Sequence, residues 1–162
     1  MYIIIFKYFT MLDLPVILFI IFLILTFSIV AWKGFTKKRV LLAFLITSGL
    51  SLLFAGISHI FMPDIVAKNI GWKSCPEFQY EIGIANILIS ILLLCSFYFD
   101  NQWILAAIFA STIWGWGNAI GHIISYKKTN NTKSGNIGWV LYFDIFLPII
   151  SIILYLITYI YN

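Results

Sequence analysis

Five stretches of about 20 consecutive apolar residues, parted by short polar breaks, make up most of this chain, and each is long enough to cross a hydrocarbon core of roughly 30 Å. They predict helices over about Leu14 to Trp32, Val40 to Met62, Phe78 to Phe99, Trp103 to Tyr126 and Ile137 to Tyr159. Pro63 stops the second, and Trp32, Trp103 and Trp139 fall near helix ends, where indole rings prefer the headgroup region. No period-two alternation suited to a β-barrel occurs. The fold class is therefore all-α: a polytopic membrane protein, a single bundle of about five transmembrane helices over residues 1–162.

Composition agrees, with 62% hydrophobic and 10% charged residues and a mean hydropathy of +1.02. Such a chain has no room for a soluble catalytic domain, so any chemistry takes place in or at the bilayer. The opening MYIIIFKYFTMLD lacks a small-residue cleavage site, so the first helix is expected to be retained. The net charge of +4 reads as membrane anchoring among lipids, with no separate basic surface for nucleic acid. Orientation stays open: Lys33, Lys37, Lys38 and Arg39 lie on one side, and Lys7, Lys68, Lys73, Lys127, Lys128 and Lys133 on the other. Cys75 and Cys95 lie on the order of 25 to 30 Å apart if helical, too far for a bridge.

The polar residues inside the spans are not scattered. His59 lies about four residues before the end of the second span and Glu81 about three after the start of the third. His122 lies about four residues before the end of the fourth, and Asp144 about seven into the fifth. An antiparallel bundle brings all four to one side, roughly 5 to 10 Å below the surface, with Asn86 and Asn118 about a turn deeper. Ionisable groups there cost about 2.5 to 3.5 kcal/mol each on insertion scales, so they face the bundle interior, pair, and mark function. On the fourth helix Trp114, Asn118 and His122 share one face, and Gly117 and Gly121 carry the small-xxx-small spacing that lets helices approach. Ser51, Ala55 and His59 form a similar stripe on the second, which leaves either a tight helix contact or room for a ligand. PDIVAKNIGWKSCPEF (63–78) predicts a short interfacial helix with a glycine stop, anchored at the headgroups by Trp72, and over the polar layer it is either a lid or an ordinary connection.

The segments IGW (70–72), PEFQYEIGIAN (76–86), GWGNAIGH (115–122) and DIFLP (144–148) resemble a group of small prokaryotic membrane proteins of unknown function, over about Val40 to Ile150. More distantly the core resembles the DoxX/DoxD superfamily, and in style the EXPERA membrane proteins. These resemblances imply a helical membrane fold in the cell membrane and leave activity and cofactor open.

Three functions fit the residues. In the first, Glu81 and Asp144 act as acid and base while His59 and His122 move protons, and the site, flanked by Asn86, Asn118 and Trp114, binds or modifies a small hydrophobic or lipid-like molecule. In the second, the same His59, Glu81, His122 and Asp144 hold zinc, iron or manganese, although no HxxxH or ExxH pair is present. In the third, the chain is a noncatalytic membrane partner subunit whose polar layer fixes helix register.

Overall fold

The structure, a computed structural model, describes residues 14–161, so Lys7 and the rest of the opening segment lie outside it. It contains five long helices, α1 (Leu14–Lys33), α2 (Lys37–Phe61), α4 (Pro76–Cys95), α5 (Asn101–Thr129) and α7 (Trp139–Tyr159). Two short ones lie between them, α3 (Pro63–Ile70) and α6 (Ser134–Ile137). Five segments are long and apolar enough to cross a membrane, the last running through α6 and α7 as Ser134–Tyr159. There is no strand among the described residues.

Capping residues move several boundaries from where hydropathy alone puts them. Thr36 accepts a hydrogen bond from the Arg39 amide at 3.2 Å, so α2 begins at Lys37 and takes in the basic cluster. Asp100 accepts from the Trp103 amide at 3.0 Å and starts α5 at Asn101. At its far end α5 runs through Lys127 and Lys128, cations that suit the negative end of the helix dipole, and stops where Asn130 turns left-handed at φ 50°. The short helix expected after Pro63 is present as α3, with Pro63 at its first turn and Gly71 at φ 82° closing it.

The bundle divides along its length. One half is packed hydrocarbon: Leu41, Leu45, Ile89, Leu93, Ile104, Ala107, Ile108 and Tyr155 form its core. The most extensive helix pairing is α2 on α4, made close by Gly56 and Gly83, where a Cβ on either would come within 2.9 Å of the other's carbonyl oxygen. Helix α1 lies on the outside of α2, joined by the Thr26–Thr47 hydroxyl pair at 2.8 Å, and reaches α7 through Phe19 on Phe143. In the other half the helices diverge around a largely apolar cavity with a few polar groups on its wall, roofed by α3 and α6.

The glycines of GWGNAIGH divide differently from expectation. Gly117 and Gly121 have nothing within 4 Å of a Cβ, so they make no helix contact; Gly115 does, 3.0 Å from the Asp144 carbonyl oxygen and 3.1 Å from the Pro148 ring. The reason is phase. The inward stripe of α5 is Thr112, Gly115, Ala119 and His122, and two residues beyond Gly115 or Ala119 lies about 200° around the helix.

Candidate functional site

The cavity has a volume of about 230 Å³ and is bounded by α2, α5 and α7, with Val66, Asn69 and Ile70 of α3 and Gly135 of α6 above it. The stripe Ser51, Ala55 and His59 faces it, while Gly56, beside that stripe, makes the close contact with α4. Room for a ligand and a tight helix contact thus occupy adjacent faces of one helix.

Of the four ionisable residues expected in one layer, His59 and Asp144 line the cavity. His122 lies behind Asp144 and is only 5% exposed. Its environment fixes its tautomer. Asn136, fully buried, donates from Nδ2 to the carbonyls of His122 (3.1 Å) and Asn131 (3.0 Å), which turns Oδ1 toward His122 Nδ1 at 3.0 Å. An amide oxygen only accepts, so Nδ1 carries the ring proton and Nε2 of the neutral imidazole is an acceptor. Nε2 is 3.7 Å from Asp144 Oδ2, beyond hydrogen-bond length, and Oδ2 is buried with no hydrogen-bond partner. Two acceptors therefore face each other, and only a proton on one of them would let the other accept a hydrogen bond.

Trp72, expected at the headgroups, is instead half-buried and stacks on the His122 ring at 5.5 Å between centroids, its Nε1 donating to Ser125 at 3.1 Å. Asn131 ties the cap together, donating to the Ile70 carbonyl at 2.9 Å and to Ser125 at 3.1 Å. The connections over the cavity are thus pinned to α5 by hydrogen bonds and a ring stack.

Glu81 is the principal correction. It is exposed, on a face of α4 turned away from the cavity. The buried stripe of α4 is Gln79, Gly83, Asn86, Ser90 and Leu93, and Glu81, two residues past Gln79, falls about 200° from it. The partner of His59 is Gln79, whose Oε1 accepts from Nδ1 at 2.6 Å. Asn118 is also off the site: it is half-buried on the flank of α5 and does not line the cavity. Trp114 lines it and donates through Nε1 to buried Asn86 at 2.8 Å, so Asn86 acts one step back from the cavity wall.

Sequence reasoning passed over Gln79 and Asn136, which hold the two histidines, and the serines of the cavity wall. Gln79 was visible in the spacing 79, 83, 86 and 90 of polar and small residues. Asn136 lies in a polar connection where nothing in the pattern distinguishes it from its neighbours. With Glu81 turned outward, the proposed metal set does not assemble, and no three His, Cys, Asp or Glu side chains converge among the described residues.

A family model matches residues 8–162. The chain belongs to DUF6790, a family of unknown function. The match runs past the Val40 to Ile150 region of the four sequence segments at both ends and ties the chain to neither the DoxX/DoxD superfamily nor the EXPERA proteins. No curated protein and no solved structure matches it. For this DUF6790 chain the geometry of the cavity therefore carries the functional reading.

Proposed function

We propose that this protein is a multi-pass protein of the cell membrane that binds a small, largely apolar molecule in the cavity under α3 and α6, with Asp144 and His122 as its acid–base pair. The observation that carries the reading is the Asp144 carboxyl group, which lines the cavity while its buried Oδ2, facing His122 Nε2 at 3.7 Å, has no hydrogen-bond partner. An unpaired buried polar atom is costly, and a proton taken up by the Asp144–His122 pair satisfies it. The mixture of apolar wall (Leu52, Phe54, Phe143, Leu147) and a few polar groups is the usual character of a small-molecule site. His122, held in one tautomer by Asn136, takes up or returns the proton that Asp144 exchanges with the ligand.

A neutral amphipathic probe, 2-phenylethanol, tests this in purified protein in lipid nanodiscs. Saturable thermal stabilisation is expected, and Ala55→Leu, which fills the cavity, abolishes it. Identical stabilisation of both proteins, or of neither, contradicts the reading.

A second reading, the noncatalytic partner subunit, has one observation in its favour. His122 contacts the cap through Asn136 and Trp72 as fully as it contacts Asp144, as a residue does when it fixes the register of connecting segments.

A further inference from the structure

The polar wall of the cavity is almost entirely spent of hydrogen-bond donors. Ser48, Ser51 and Ser58 donate to the carbonyls of Phe44, Thr47 and Phe54 at 3.0, 3.0 and 2.9 Å, one turn back on their own helix. Ser111 donates to the Ile108 carbonyl at 2.9 Å. A hydroxyl that has donated offers only lone pairs, so these four serines present acceptors to the cavity. Trp114 likewise gives its single N–H to Asn86, and His59 Nδ1 is paired with the Gln79 side chain at 2.6 Å.

Asp144 adds a carboxyl group on the same wall, its buried Oδ2 without a hydrogen-bond partner. Among the described residues of the polar lining, only Asn69 and Ser151 keep a side-chain donor without a protein partner. No Lys or Arg lines the cavity. An acceptor-bearing ligand would gain a donor from the other serines only by breaking their bonds to the helix carbonyls. A carboxylate or phosphate would in addition face Asp144 with no cation to offset it.

We propose that the cavity selects a compact protonated amine on an apolar body, the ammonium donating to the cavity face of the Asp144 carboxylate and to serine oxygens of the same wall. The selectivity presupposes the ligand-binding reading above. The volume sets the size: an engineered cavity of about 150 Å³ accepts benzene, so about 230 Å³ holds on the order of ten heavy atoms. Charge-assisted donation to a buried carboxylate is the strongest bond this wall can make.

Three probes of one shape, 2-phenylethylamine, 2-phenylethanol and phenylacetate, separate the outcomes when titrated into the purified protein in nanodiscs of neutral lipid and followed by calorimetry. The amine is expected to bind about tenfold or more tightly than the alcohol, a difference of ~1.4 kcal/mol, and phenylacetate not to bind. Asp144→Asn should remove the amine's advantage over the alcohol. Should that variant fail to fold, the ranking in the parent protein decides by itself. Equal binding of amine and alcohol, or tighter binding of phenylacetate, overturns amine selection while the cavity still stands as a binding site. Binding of none of the three overturns both.

Discussion

Gly56 on α2 and Gly83 on α4 meet backbone to backbone, so that a Cβ added to either would lie within 2.9 Å of the other's carbonyl oxygen. This contact brings α2 close enough to α4 for His59 to reach Gln79, one turn nearer the membrane surface. Gly83→Ala should therefore destabilise the bundle by about 1 to 3 kcal/mol, because the methyl meets backbone that cannot yield. Gly117→Ala is the opposite case: nothing lies within 4 Å, and removing a mid-helix glycine should leave stability unchanged or raise it by roughly 0.5 to 1 kcal/mol. Thermal unfolding of the two variants in one detergent checks both signs at once.

Asn136 serves His122 and the cap together. Asn136→Ala strips a partner from His122 Nδ1 and from the carbonyls of His122 and Asn131, leaving buried polar groups unsatisfied at about 1 to 3 kcal/mol each. The expected result is local: hydrogen exchange across 130–138 and 63–72 accelerates, while the α2–α4 pairing keeps its protection. Unchanged exchange in the cap would mean that Asn136 does not hold it.

Glu81 and Asp144 separate a carboxylate outside the cavity from one on its wall. Glu81→Gln, at an exposed position, should shift stability by no more than about 0.5 kcal/mol and leave probe binding intact. Asp144→Asn keeps the shape of the side chain but removes the charge, and should change the binding of 2-phenylethylamine. Titration of the two variants side by side checks the assignment, and loss of amine binding in Glu81→Gln would reverse it.

Depth along the helices was legible from sequence and rotation about them only in part. An apolar span has a fixed rise per residue, so counting from its ends places His59, His122 and Asp144 at one level, and the structure brings those three to the cavity or directly behind it. Rotation depends on which residues a helix buries. On α4 the charged Glu81 drew the eye, whereas the uncharged Gln79 shares a face with Gly83, Asn86 and Ser90. The glycines carry the same lesson, since GWGNAIGH offers three and spacing alone favoured Gly117 and Gly121 over Gly115, which packs on α7. Asn136 and the Trp72 stack were out of reach because both come from connections folding back over the bundle, a long-range arrangement with no periodic trace.

Ser51, on the stripe below His59, faces the cavity that a small molecule is proposed to enter. With Cys75 and Cys95 replaced by serine, Ser51→Cys and Ser90→Cys compare two serines on the paired helices α2 and α4: Ser51 lines the cavity, and Ser90 is buried in the α2–α4 contact, donating to the Gly49 carbonyl at 2.7 Å. The measurement is the rate at which methyl methanethiosulfonate modifies each in nanodiscs, with and without 2-phenylethylamine. Ser51→Cys is expected to react faster than Ser90→Cys, and the amine to slow only the former. A Ser51→Cys thiol as inert as that of Ser90→Cys, or one whose rate the amine leaves unchanged, would contradict the ligand-binding reading.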